Sequence, residues 1–220
     1  MRALIIGASG GIGAAVANQL EQAGAEVRRL SRSVDGLDVT DAASVEAALD
    51  RLEGPFDLIF VAIGILAPVG HAPEKSLAAM EAEAMARVMA VNAIGPALIL
   101  RHVPQLLDRR ARGVVVVLSA RVGSIGDNHI GGWHSYRASK AALNQIVHGA
   151  AIELARSHKQ AVCVALHPGT VATSFTADYA GRHKTVPPEQ AAQNLLSVID
   201  GLQPTDTGRF FDYAGKEVPW

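Results

Sequence analysis

The sequence predicts one α/β domain, a mostly parallel sheet of about seven strands flanked by helices on both faces. Three observations predict it. Short apolar runs alternate with helical segments along all 220 residues, the pattern of right-handed crossovers between parallel strands. Hydrophobic residues make up 49% and aromatic residues only 5%, a balance that suits strands buried on both faces by Ala, Val, Leu and Ile. A glycine-rich turn, Gly7-Ala-Ser-Gly-Gly-Ile-Gly13, follows directly on the first apolar run. No repeat, linker or low-complexity tract divides the chain, so residues 1–220 read as a single domain.

Leu4 to Ile6 is the first strand. The next segment puts Ile12, Val16 and Leu20 on one helical face, with Gly24 as its stop. Glu26 to Leu30 is a second strand, and Leu37 to Val39 a short third one. A helix capped by Asp41 carries Val45, Leu49 and Leu52. Leu58 to Ile63 is the fourth strand. Met85 to Leu107 is a long helical stretch that Pro96 and Pro104 should bend or interrupt. Val114 to Leu118, Val162 to Leu166 and Arg209 to Tyr213 complete the strands, with helices over Ser135 to Ala155 and Pro188 to Ile199. The whole is a doubly wound Rossmann arrangement.

Composition narrows the function. Twenty basic against twenty-one acidic residues leave a net charge of −1. No basic tract is dense enough to track a phosphate backbone, so nucleic acid is not an expected partner. Cys163 is the single cysteine, which excludes an intrachain disulfide and cysteine-rich zinc sites. It is expected as a small buried hydrophobe in a strand. His129 and His134 lack a third ligand at metal spacing, and no metal is expected. Glycines interrupt the first apolar stretch, and no run of about 18 apolar residues is evident. A cytoplasmic protein without a membrane partner is expected.

The turn from Gly7 to Gly13 has a chemistry of its own. Gly7 permits a tight exit from the strand, Gly11 a close approach, and Gly13 close packing of helix on strand. With Ser9, Gly10 and Ile12 they aim backbone N–H groups and a helix amino terminus at a pyrophosphate. The spacing is G-x-x-x-G-x-G rather than G-x-G-x-x-G, so its place between strand and helix carries the argument. An acidic residue ending the second strand would favour NAD(H). Here stand Ser31, Arg32 and Ser33, with Arg28 and Arg29 nearby, so NADP(H) is expected over NAD(H). Asp38-Val39 resembles a pair that brackets an adenine ring, although a single Asp in a turn also serves as a cap.

Tyr136 and Lys140 lie one helical turn apart, where their polar ends can converge. An ammonium beside the phenol should lower its pKa from about 10. Tyr136 could then protonate a carbonyl oxygen as hydride reaches the carbon.

These residues together resemble the short-chain dehydrogenase/reductase family over nearly the whole chain, and its small carbonyl-reductase, C-factor-like subgroup in particular. Val91-Asn92-Ala93 matches the family's asparagine segment, and His167-Pro-Gly-Thr-Val-Ala-Thr173 its P-G-x-V-x-T stretch. The resemblance implies that Asn92 supports a proton relay to Lys140, and that Pro168, Gly169, Val171 and Thr173 hold the nicotinamide carboxamide. It implies an NADPH-dependent reductase of aldehydes or ketones, assembled as a homodimer or homotetramer through its apolar helices. There are two departures. Val61-Ala62-Ile63-Gly64 replaces the family's Asn-Asn-Ala-Gly, leaving Ala62 and Gly64 to pack on the cofactor by backbone alone. Ala120 stands where the family's substrate-orienting serine is expected, with Ser119 and Ser124 as alternative hydroxyls. Ala120 keeps open a second reading, a dinucleotide-binding regulatory or signalling protein with weak or vestigial catalysis. Trp133, Phe175, Tyr179 and Trp220 are expected around an apolar substrate site.

Overall fold

The computed structural model describes residues 1–176 and 185–220. Six strands form one sheet in the order β2-β1-β3-β4-β5-β6, every neighbouring pair parallel. They are β1 (Arg2–Ile6), β2 (Glu26–Leu30), β3 (Leu58–Val61), β4 (Val114–Leu118), β5 (Val162–His167) and β6 (Phe210–Asp212). The central strands are buried along nearly their whole length, whereas edge strand β2 alternates exposed and covered residues. That difference is why the middle strands read as unbroken apolar runs.

The expected seventh strand at Leu37 to Val39 is absent. Asp38 instead closes a turn, its carboxylate accepting from Thr40 N at 2.9 Å and Thr40 Oγ1 at 2.7 Å, while Leu37 plugs into the core. A short Asx-type turn had outcompeted a ladder with too few residues to form.

Helices cover both faces. One core packs α3 (Ala42–Leu49), α5 (Gly95–Leu100), α6 (Val103–Leu106) and α7 (His134–Ser157) against Val115, Val117, Cys163 and Ala165. The other packs α1 (Gly11–Gln22) and α8 (Pro188–Gly201) against Ile5, Phe60, Val116 and Val164. Period-two alternation sends successive strand residues to opposite cores. Asp41 caps α3 as expected, accepting from Ala43 N at 3.0 Å. Ser31 likewise opens the one-turn helix α2 (Arg32–Asp35).

The long helical stretch is less uniform than its sequence suggests. It comprises α4 (Ala82–Met89), a π turn over Ala90–Ile94, α5 and α6. Pro96 and Pro104 sit in the first turns of α5 and α6, where a missing N–H is harmless. Ala82 to Leu100 is also, by length and composition alone, apolar enough to cross a bilayer, contrary to the sequence-based expectation. Here it packs against α7 and α3 on the sheet.

Candidate active site

The carboxyl ends of β1, β3, β4 and β5 open into a cleft of about 480 Å³, where ligands of open parallel sheets bind. The chain leaves β1 for β2 on one side and returns to β3 on the other, and the glycine turn lies at this reversal. Gly7 has φ +90°, and a Cβ there would stand 2.3 Å from the Ala62 carbonyl oxygen. A Cβ on Gly13 would meet the Gly7 oxygen at 2.3 Å, and one on Gly11 the Thr173 methyl at 2.6 Å. No side chain caps α1 at Gly10, so its first N–H groups stay open to the cleft. Ser9 and Gly10 are exposed beside them. This bare, donor-lined cradle fits the pyrophosphate of a dinucleotide.

The end of β2 is more committed than the sequence suggests. Ser31 is buried, its Oγ accepts from Val34 N at 3.3 Å, and its own N–H donates to Asp35 at 2.8 Å. Arg29 is spent on Glu21 and Asn18. Arg32 and Ser33 are exposed and, among the described residues, form no ion pair. Asp38 is turned onto Thr40, whose hydrogen bonds hold its carboxyl below the usual range, and Val39 packs beneath Gly95.

At the other end of the cleft, α7 presents Tyr136 and Lys140, both nearly inaccessible to solvent. Lys140 Nζ donates to the Leu118 carbonyl at 2.8 Å, and burial pushes its pKa down to about 7. Burial pushes the Tyr136 phenol well above its ordinary value. Desolvation governs the phenol rather than the ammonium, which is turned toward the end of β4. Asn92, in the π turn, is fully buried. Its Oδ1 accepts from Ile65 N and its Nδ2 donates to Ile65 O, both at 2.8 Å. Nδ2 also donates to Ser139 Oγ at 3.0 Å, and Ser139 Oγ donates to the Tyr136 carbonyl at 2.8 Å. Gly64 fits between these groups: a Cβ on it would lie 3.4 Å from Asn92 Oδ1 and 3.5 Å from Lys140 Nζ.

Pro168, Gly169, Val171 and Thr173 line the cleft beside Ala62, Gly64 and Ala120. Ala120 contributes no hydroxyl. Ser119 Oγ donates to Asn144 Oδ1 at 2.6 Å, and Ser124 Oγ accepts from Asp127 N at 3.1 Å, away from the cleft. Trp133 and Phe175 flank Tyr136, with ring centroids 6.2 and 5.9 Å away. Trp220 instead stacks on Phe210, and Tyr179 lies outside the described residues. Cys163 is buried as expected, its thiol pushed up to about 12 by burial.

Three features add to the site beyond the residues the sequence assigns to it. Glu74, on the loop after β3, accepts from Ser135 Oγ and Ser135 N at the start of α7. Burial alone would raise its pKa, but those hydrogen bonds hold the carboxyl below its usual value. Nothing local in the sequence links residues 61 apart. Trp133 takes φ +50° just before α7, a conformation for which only the preceding Gly131-Gly132 gives a hint. The cleft also holds His167, visible in the sequence as the residue before Pro168.

Comparison with known proteins agrees with this geometry. Residues 7–201 match the family described as enoyl-(acyl carrier protein) reductase. The 1-hydroxy-2-glutathionyl-2-methyl-3-butene dehydrogenase of Rhodococcus sp. is 34% identical, over 99% of this chain and 98% of its own. The C-signal of Myxococcus xanthus is 41% identical over 62% of this chain and 78% of its own. The NADPH-bound carbonyl reductase from chicken fatty liver superposes with a TM-score of 0.82 at 25% identity, covering 100% of this chain and 94% of that one.

Proposed function

The chain belongs to the short-chain dehydrogenase/reductase family of oxidoreductases, and on that premise we propose that it reduces an aldehyde or ketone with NADPH. One observation carries the reading: a single cleft collects the glycine cradle, Tyr136, Lys140 and the Pro168–Thr173 segment. When bound, the dinucleotide supplies the hydride. Gly7, Ser9, Gly10, Gly11, Ile12 and Gly13 hold its pyrophosphate, and Arg32 with Ser33 receives the 2′-phosphate, whereas Ser31, expected there from the sequence, is committed to capping α2 and to Asp35. The exposed guanidinium of Arg32, which forms no ion pair among the described residues, supports NADP(H) over NAD(H), as does the NADPH in the chicken carbonyl reductase.

Tyr136 is the general acid. Its raised pKa keeps the phenol protonated at neutral pH, and no described residue takes its hydroxyl as a hydrogen-bond partner, so the proton is available to a ligand. As that proton leaves for the carbonyl oxygen, the Lys140 ammonium stabilises the phenolate left behind. Asn92 fixes the Gly64–Leu66 loop and, through Ser139, the backbone of Tyr136. It is the residue we assign to the relay that restores the proton. Trp133, Phe175 and Leu66 give the substrate end an apolar wall.

Association into a homodimer or homotetramer belongs to the same proposal. It is supported by Ile94 on the π turn and Ile152 on α7, each about half exposed.

Ala120 favours a second reading, a dinucleotide-binding regulatory or signalling protein with vestigial turnover, and the likeness to the C-signal protein adds to it. NADPH oxidation measured over a panel of aldehydes, ketones and quinones decides between the two. Turnover by the parent, lost by at least a hundredfold in Tyr136→Phe, supports the reductase. Tight NADPH binding without turnover by the parent, with turnover appearing in Ala120→Ser, supports the regulator.

A further inference from the structure

No serine at the end of β4 offers the cleft a free hydroxyl to orient a carbonyl, yet the cleft contains a donor that no step has used. His167 ends β5 and lines the cleft with Ala120, Tyr136 and Lys140. Ser119 N donates to the Leu166 oxygen at 2.8 Å, so β4 and β5 stay paired up to this point. His167 therefore stands one strand over from the Ser119-Ala120 pair. Along β5, Cys163 and Ala165 face the core that α7 covers, while Val164 and Leu166 face the other. Alternation sends His167 to the α7 side, where Tyr136 and Lys140 lie.

The ring's own chemistry fixes which nitrogen is useful. Nδ1 is sealed from solvent and has no hydrogen-bond partner among the described residues. A proton on Nδ1 would be an orphaned buried donor, whereas a bare lone pair there costs less. The proton accordingly sits on Nε2, the nitrogen left for the cleft. Arg121 from the turn after β4, Lys140 from α7, and Asp212 and Tyr213 from β6 and the residue after it surround the ring. Burial first, then Arg121, with Lys140 adding less and Asp212 opposing, pushes its pKa down to about 4. The imidazole is neutral at working pH.

The other donors at and just after the end of β4 are occupied or turned away. Ser119 is bonded to Asn144, Ser124 lies outside the cleft, and Arg121 pairs with Asp127 at 2.6 Å and with Asp212 at 3.7 Å.

We propose that His167 donates, through Nε2–H, the hydrogen bond to the substrate's carbonyl oxygen that Ala120 cannot give. This rests on the reductase reading, and makes His167 a catalytic residue beside Tyr136. No proton is transferred from it; it polarises the C=O bond while Tyr136 supplies the proton.

The test is steady-state reduction of the best carbonyl by the full chain, with NADPH affinity measured separately by fluorescence titration. His167→Leu is expected to lower kcat/KM for the carbonyl by about 10- to 10³-fold, with NADPH Kd within about twofold. His167→Gln, whose amide nitrogen falls near Nε2, retains most activity, whereas His167→Asn, which reaches only Nδ1, does not. Adding Ala120→Ser to His167→Leu restores at least tenfold, a rescue that a merely structural histidine would not show. A His167→Leu variant as active as the parent overturns the assignment and leaves the reductase reading standing. A matching loss of NADPH affinity overturns it too, by making His167 a cofactor or structural residue. A parent that binds NADPH but reduces no carbonyl overturns the reductase reading first, and this assignment with it.

Discussion

Replacing Lys140 by Met should make the protein more stable and nearly inactive. The ammonium is 3% exposed and has one hydrogen bond, to the Leu118 carbonyl. Its pKa falls from 10.5 to about 7 on burial, which at about 1.4 kcal/mol per pH unit amounts to about 5 kcal/mol against the charged form. A methionine of similar length removes that cost but leaves the Leu118 oxygen short of a partner, about 1–3 kcal/mol. The net gain is about 2–4 kcal/mol, or about 4–16 °C in Tm for a domain of this size. Turnover should fall at least a hundredfold, because the Tyr136 phenolate loses its cation.

The pH dependence has a definite sign. Below about pH 7 the ammonium is charged in both states and the cost is fully present. From pH 7 toward 10.5 the unfolded chain keeps a proton that the folded chain has lost, so stability rises with pH. Cys163, pushed up to about 12, acts in the opposite direction once its unfolded thiol begins to ionise near ~8.5. Between pH 7 and about 8.5 the parent should gain up to about 2 kcal/mol in urea unfolding, and Lys140→Met nothing from this source. A variant no more stable than the parent, or one that keeps turnover within tenfold, refutes the reasoning.

Two further outcomes concern the cofactor. Gly13→Ala puts a methyl 2.3 Å from the Gly7 oxygen, so NADPH affinity should fall at least tenfold and stability by about 1–3 kcal/mol; titration and thermal melts check both. Arg32→Glu should weaken NADPH at least tenfold while changing NADH little, measured as the ratio of the two dissociation constants. An unchanged ratio removes Arg32 from 2′-phosphate recognition.

Much of this architecture was legible before the structure. β1, β3, β4 and β5 are short apolar runs buried on both faces, and such runs announce themselves. Leu37 to Val39 differs from the strand its sequence suggests because two alternating apolar residues look the same in a strand and in a turn stabilised by Asp38. The stretch after Met85 is helical as its sequence suggests, but its π turn depends on i+5 bonds that no spacing of apolar residues reveals. At the site, Tyr136, Lys140 and the glycines were visible because their spacing is local. The partners of Lys140, Asn92 and Ser135 were not, since Leu118, Ile65 and Glu74 come from distant segments. The Tyr136 phenol departed from expectation because burial outweighs an ammonium that points elsewhere.

The Asn92 amide grips both polar groups of Ile65 and, through Ser139, the main chain of Tyr136. Three stretches widely separated along the polypeptide must therefore arrive together before any of the three is held. Contacts of this separation form late, because chain closure is entropically opposed until they are made. The cleft has no half-built version, and ligand capture becomes a gauge of completed folding: a population that is only partly folded should look collapsed to a spectroscope yet be blind to anything the cleft recognises.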